Sequence, residues 1–186
     1  MVKSIAKEFT EKFVKEFEKK RVGDPLEKST DVGPLVNAEA VASIDEQVKD
    51  ALSKGAEAEV GGAPHTPGFF YQPTVLDKVD KRMKVMYEEV FGPVAPIFVV
   101  DDDDQAIRTA NDSEFGLGSS LWTGSMERAV RLAKEIQSGM VFVNELTKSD
   151  PRMPFGGVKK SGIGRELSKY GLKEFVNVKS VSIYGI

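Results

Sequence analysis

Along the first twenty residues the apolar positions Ile5, Phe9, Phe13 and Phe17 recur every fourth place among lysines and glutamates. That spacing predicts a surface helix with one stripe turned to a core, ending between residues 19 and 22, before the turn Gly23-Asp24-Pro25. The following EKSTDVGPLVN is broken twice by Gly and Pro and reads as an extended loop. Asn37 stands where it can cap a second helix, with Val41, Ile44, Val48, Ala51 and Leu52 on its inner face and Gly55 as its stop. Residues 58–60 read as a short strand, GGAPHTPGFF as a loop, 72–76 as a strand and 83–89 as a short helix.

Residues 94–100 form a continuous apolar run, interrupted only by proline near its start, and predict a strand buried on both faces. The aspartates at 101–104 suit a helix start, where carboxylates meet free N–H groups and the positive end of the dipole. That helix runs through Ala106 and Ile107 to Ala110, a strand follows over 118–123, and Ser125 opens a helix with Ala129, Leu132, Ala133 and Ile136 inward. Residues 140–144 give the next strand. Strand and helix alternate with short connections, which predicts an α/β fold with a parallel sheet and helices over both of its faces. Residues 168–175 read as a short helix. The imperfect alternation of Val176, Val178, Val181 and Ile183 predicts a terminal strand over 176–184.

A length of 186 residues allows one sizeable domain, or a domain with a projecting arm. Its 26 basic and 29 acidic residues leave a charge of −3, which gives no electrostatic case for nucleic acid or a membrane as partner. No apolar run approaches the ~20 residues needed to span a bilayer. The amphipathic, charged start lacks the apolar centre of a signal peptide, so the chain is expected in the cytoplasm.

There is no cysteine, and His65 is the single histidine. Disulfides, thiolate metal sites, a cysteine nucleophile and any Ser-His-Asp triad without His65 are thereby excluded from this chain. His65 itself lies in a Gly/Pro loop with no orienting carboxylate nearby in sequence, and reads as a surface residue. Lys160-Ser161 lacks the glycines of a phosphate loop, and Gly162-Ile163-Gly164 is followed by Leu167 where a dinucleotide fingerprint needs its third glycine. The four aspartates miss the glycine and glutamate of a calcium loop, and no metal is expected.

Two stretches keep a chemical reading. Glu88-Glu89-Val90-Phe91-Gly92-Pro93 precedes a strand, where a carboxylate can accept hydrogen bonds from a sugar diol and a ring can pack on a flat heterocycle. Its bland alternative is a helix end with Phe91 in the core and solvated glutamates. Asn144 through Glu166 is a long glycine-containing segment after a strand, and with Lys159, Lys160 and Arg165 it suits either an anion site or a subunit contact, inside a stretch, 148–179, of eight basic and three acidic residues.

The strings VGDPLEKSTDVGPLV (22–36), EEVFGPVAPI (88–97), NDSEFGLGSSLWT (111–123), SGMVFVN (138–144) and PFGGVKKSGIGRE (154–166) occur in one order. Together they resemble the aldehyde dehydrogenase superfamily, and residues 149–175 are most similar to its succinate-semialdehyde dehydrogenase branch. The resemblance implies a three-layer α/β/α sandwich with a mainly parallel sheet. Residues 1–175 would be the C-terminal part of the catalytic domain and 176–186 a C-terminal oligomerisation strand, with the N-terminal cofactor-binding domain outside this sequence.

In that family a cysteine thiolate attacks the aldehyde, a hydride passes to NAD or NADP, and a glutamate helps water release the acid. The resemblance places Glu89 on the nicotinamide ribose, Phe91 beside the nicotinamide and Ser149 at the substrate's distal carboxylate. Arg152 is a further candidate for a carboxylate, from the residues alone. The thiol, the general base and the oxyanion-hole asparagine have no counterpart here. The chain is therefore expected to have no catalytic residue of its own, to be inactive alone and to bind neither NAD nor NADP tightly. Expected partners are a second copy, through a dimer or a swapped C-terminal strand, and a separate N-terminal half that would complete the enzyme. The competing class is a folded interaction module.

Overall fold

Residues Lys3–Glu18 form α1, in agreement with the four-residue apolar spacing. Its stripe becomes a ladder of rings, Phe9 on Phe13 at 5.1 Å and Phe13 on Phe17 at 4.6 Å between centroids. None of its residues is fully buried, so the helix lies on the surface of a core and contributes little to its interior. The chain start is stitched beside residues 98–100. The terminal ammonium donates to Phe98 O at 2.9 Å, Lys3 N to Val100 O at 2.8 Å and Val100 N to Met1 O at 2.8 Å.

This computed structural model describes residues 1–185 and divides into two compact units, Met1–Ala106 and a second from Ile107 onward. In the first, α2 spans Ala38–Ser53, and the Asn37 side chain accepts from Ala40 N at 2.8 Å, the cap that the sequence predicts. Gly55, at φ +103°, ends the helix in a conformation that a side chain would resist. Ile44, Val48 and Ala51 of α2 pack with Tyr71, Leu76, Val79, Met83 and Val85 into the core. Leu52, expected inward, is partly exposed.

Five short strands belong to this unit: β1 (Glu57–Val60), β2 (Pro64–His65), β3 (Phe70–Tyr71), β4 (Thr74–Asp77) and β5 (Val94–Pro96). β4 lies between an antiparallel β1 and a parallel β5, with Thr74 opposite Val94 and Leu76 opposite Pro96. β2 and β3 form a small hairpin inside the segment expected to be loop. Two-residue strands are too short to leave an alternation in the sequence.

The strand expected over 94–100 is shorter and less buried than its apolar composition implied. All three residues of β5 are half-buried, and Val99 is partly exposed. Pro93 and Pro96 lack N–H groups for a ladder, which limits regular pairing. Ile97 N still donates to Leu76 O, and Val100 then bridges to Val2. The helix expected over 83–89 is a single 3₁₀ turn, Lys84–Met86, because side chains of α2 hold the backbone on both sides of it.

α3 (Asp103–Asn111) crosses the boundary between the units. Asp102 caps it by accepting from Gln105 N at 2.7 Å, and the Gln105 side chain accepts in return from Asp101 N at 2.8 Å. The second unit then contains β6 (Gly118–Leu121), α4 (Met126–Glu135), β7 (Met140–Val143) and α5 (Ser168–Glu174). β6 and β7 run parallel from Gly118 opposite Met140 to Leu121 opposite Val143. Ala129 and Leu132 of α4 are buried with Met140 and Phe142 of β7. Ser125 caps α4, accepting from Arg128 N at 3.2 Å.

The parallel pairing expected from the strand and helix alternation is present in both units, within a mixed α/β architecture. The terminal strand expected over 176–184 is not formed. Among the described residues no strand partner faces it, and Val178, Val181, Ile183 and Tyr184 are exposed. Alternation supplies one face of a strand, whereas the strand itself requires a hydrogen-bonding edge opposite.

Candidate functional site

In the first unit, the EEVFGP turn is strung between α2 and β4. Gln47, buried inside the apolar face of α2, donates from Nε2 to Glu89 O at 3.1 Å and to Glu88 Oε2 at 3.2 Å. One turn further on, the Asp50 carboxylate accepts from Lys84 N at 2.9 Å and from the Lys54 ammonium at 2.7 Å. These donors, Lys54 first and the Lys84 N–H second, hold the Asp50 carboxyl below its ordinary range. The Lys84 ammonium reaches Glu46 at 2.5 Å and Glu88 at 3.8 Å, and the Glu46 carboxylate is the main cause of its raised pKa.

At the far end of the turn, Gly92 passes so close to α2 that a Cβ would lie 3.0 Å from Ile44 Cδ1 and Cγ1. Pro93 O accepts from Thr74 N at 2.8 Å, after which β5 pairs with β4. The backbone is thereby held at Lys84, Glu89, Gly92 and Pro93, and the Glu88 carboxylate, though exposed, is tied to Gln47 and Lys84. Glu89 is exposed, and Phe91 is 78% exposed. The bland reading of this motif needed Phe91 in the core, and the ring is outside it.

Ser149 belongs to the second unit, on the segment that leaves β7. Asn144, at φ +54°, ends β7 with a two-way amide clasp: Thr123 N donates to Asn144 Oδ1 and Asn144 Nδ2 to Thr123 O, both at 2.9 Å. Ser120 Oγ donates to Glu145 O at 2.8 Å, and Lys148 pairs with Glu145. Beyond Ser149, Asp150 accepts from Arg152 N at 2.9 Å and from its guanidinium Nη2 at 2.6 Å. That guanidinium drives the Asp150 carboxyl far below the usual carboxylate range. Ser149 is an exposed serine between two fastened turns. Arg152, a candidate for a substrate carboxylate, is engaged by Asp150 instead.

The glycine-dense segment 154–166 also resolves differently from its charge. Lys159 Nζ donates to Asn111 O at 2.8 Å and Ser113 O at 2.9 Å, and Lys160 pairs with Glu114 at 2.5 Å. Arg165 Nη1 donates to Gly157 O and Gly164 O at 2.9 and 2.6 Å. Its cations fasten the chain to itself, so the anion-site reading has no free basic group in this segment to rest on. The backbone joins the same lock: Gly139 N and Val158 N both donate to Gly116 O, Ser161 Oγ accepts from Gly116 N, and Phe155 pairs with Glu166.

Three of the ordered strings, 111–123, 138–144 and 154–166, thus meet in one interlocked body, while 88–97 forms the presented turn of the other unit. A model of the aldehyde dehydrogenase family matches residues 1–181. This chain belongs to the aldehyde dehydrogenase family.

It is 46% identical over 181 residues to a probable NADP(+) succinate-semialdehyde dehydrogenase of Synechocystis, covering 97% of this chain and 40% of that protein. A succinate-semialdehyde dehydrogenase [NADP(+)] of Mycobacterium leprae matches at 46% identity over 96% of this chain and 39% of its own length. Among solved structures, the succinic semialdehyde dehydrogenase of Streptococcus pyogenes in complex with NADP+ superposes with a TM-score of 0.93 at 39% identity, over 99% of this chain and 41% of that one. The chain therefore spans about two-fifths of the length of these aldehyde dehydrogenase relatives.

Gln47, Asp50 and Lys84, which hold the turn, were missed by sequence reasoning. The available signal was a polar residue at 47, directly beside Ile44 and Val48 on the apolar face of a helix. Among the described residues no helix is long and apolar enough to cross a membrane.

Proposed function

We propose that this chain is the part of an NADP-dependent succinate-semialdehyde dehydrogenase that contributes the nicotinamide edge and one substrate contact. The observation that carries this reading is a rigidly fastened turn that leaves a carboxylate, Glu89, and an aromatic ring, Phe91, outside the core. The donor chemistry fits a nicotinamide ribose: an exposed carboxylate accepts hydrogen bonds from a diol, and an exposed ring offers a flat apolar face to a heterocycle. When bound, the nicotinamide cofactor supplies a hydride acceptor. Glu89 orients the ribose, Phe91 shields one side of the ring from water, and Ser149 donates its hydroxyl to the carboxylate at the far end of a four-carbon semialdehyde. The nucleophilic thiol comes from a separate segment, since none of the 186 residues is a cysteine. NADP is favoured over NAD by the names of the relatives at 46% identity.

The experiment mixes purified chain with NADP and succinate semialdehyde and follows absorbance at the reduced-nicotinamide band. Alone, the chain gives no turnover. Co-expressed with the N-terminal segment of the Synechocystis relative, it restores turnover; there Glu89→Gln raises the KM for NADP and Ser149→Ala raises the KM for the semialdehyde. Turnover by the chain alone, free of contaminating enzyme, overturns the proposal.

A second reading, as a self-associating module, is favoured by the exposed tail. Val178, Val181, Ile183 and Tyr184 present apolar side chains on a backbone without a ladder, the condition under which a segment adds to another sheet edge. Light scattering across concentrations is expected to show a dimer that a chain ending at Phe175 does not form. A monomer at all concentrations removes this reading.

A further inference from the structure

The turn presents two consecutive carboxylates, yet its surroundings treat them differently. Gln47 is only 4% exposed, and Nε2 serves Glu88 Oε2 and Glu89 O together. Both partners are acceptors, which forces the amide nitrogen toward the turn. Its Oε1, also buried, accepts nothing among the described residues. An orphaned buried acceptor is a cost, and an apolar side chain would suit a position between Ile44 and Val48 better. What the glutamine offers in exchange lies on its nitrogen. Lys84 adds a weaker hold on Glu88 at 3.8 Å, while no hydrogen bond or ion pair engages the Glu89 carboxylate among the described residues.

We infer that Gln47 is a positioning residue that sorts the two carboxylates, fastening Glu88 to α2 and fixing the Glu89 backbone so that the Glu89 side chain alone is offered to a ribose. The inference rests on the ribose reading of Glu89 given above. Gln47 acts through the turn and touches no ligand itself.

The test uses isotope-labelled full chain, with nicotinamide mononucleotide as the probe. In Gln47→Leu, backbone order parameters at residues 88–91 fall from about 0.85 to below about 0.6, while those of Thr74–Asp77 stay unchanged. Mononucleotide affinity, read from the Phe91 resonances, weakens about tenfold. Gln47→Glu separates positioning from simple packing. At pH 8 its carboxylate faces Glu88 and cannot donate, so the turn loosens. At pH 5 this acid, with its pKa raised by burial and by Glu88, is protonated and donates to Glu89 O, so order and affinity return. Lys84, held above its ordinary range, and Asp50, held below its own, keep their charges across that interval and do not produce the recovery.

Unchanged order and affinity in Gln47→Leu overturn the inference, as does Gln47→Glu that stays loose at pH 5. If Gln47→Leu loses the order of β4 as well, the two pH values of Gln47→Glu decide. If Glu89→Gln leaves the mononucleotide titration as in the parent chain while Gln47→Leu still loosens the turn, the ribose reading falls and the fastening role of Gln47 stands.

Discussion

Replacing Gly139 by alanine tests the interlocked body of the second unit. A Cβ there would sit 1.8 Å from Gly156 O, 2.8 Å from Gly156 C and 3.1 Å from Gly157 Cα, all of them backbone. No flexible side chain can yield, so one of two main chains must move by more than an ångström. Overpacking of this kind costs about 1–3 kcal/mol. The displacement also strains the bonds from Gly139 N and Val158 N to Gly116 O, at 3.0 and 2.9 Å, each contributing about 1 kcal/mol. A loss of about 3–5 kcal/mol is a large share of what a unit of this size holds, given roughly 0.05–0.15 kcal/mol per residue. Urea unfolding followed by the fluorescence of Trp122, the single tryptophan and part of this unit, reads the loss directly. Gly124→Ala is the control, because nothing lies within 4 Å of its Cβ, and it should be neutral or stabilise by up to ~1 kcal/mol. A Gly139→Ala loss below about 1 kcal/mol, or one equal to the control, refutes the close approach.

Further outcomes concern the first unit. Asn37→Ala removes the acceptor of Ala40 N and should cost about 1 kcal/mol in thermal or urea unfolding, whereas Asn37→Asp keeps the cap and most of the stability. Leu76→Ala empties a fully buried position in β4 and should cost about 3 kcal/mol by the same measurement. The Arg82 guanidinium lowers the Asp80 carboxyl to about 2. A depressed acid stabilises the fold above its unfolded pKa of about 4 and loses that contribution as the pH falls through the folded value. Stability should therefore decline from about pH 4 to about pH 2, and less steeply in Asp80→Asn. Burial first, and then the Asp45 carboxylate, raise the Tyr71 hydroxyl above an ordinary phenol. In an ultraviolet alkaline titration one of the four tyrosines should ionise only as the chain unfolds.

Features fixed within a few residues were legible in the sequence: the Asn37 cap, the Gly55 stop, the Asp102 start of α3 and the Ser125 start of α4 all lie where local chemistry put them. The presented turn was legible through its motif, although composition alone favoured a core position for Phe91. Features that depend on a distant partner were not. β5 looked like a long buried strand because apolar runs do not reveal whether a neighbour can accept a ladder past Pro96. The tail over 176–184 looked like a strand because its alternation is visible, and with no edge opposite it among the described residues it forms none within this single chain. Arg152 and the cations of 154–166 looked available because their internal acceptors, Asp150 and the carbonyls of Asn111, Ser113 and Gly157, are remote or carry no sequence signal. Gln47 was concealed for the opposite reason, as a polar residue inside an apolar stripe.

The meeting of Gly116, Gly139 and Gly156 bears on how such a signature string should be read. Two of these glycines come from strings that hold no candidate ligand contact, and the third opens the glycine-dense segment whose cations are used internally. A Cβ at each would strike backbone, Gln137 O at 2.7 Å from Gly116, Gly156 O at 1.8 Å from Gly139 and Gly164 O at 2.8 Å from Gly156, so the requirement for glycine comes from the fold and not from any ligand. Within PFGGVKKSGIGRE, Gly156 is therefore demanded by the main-chain packing itself, independently of whatever the exposed side chains of EEVFGP bind.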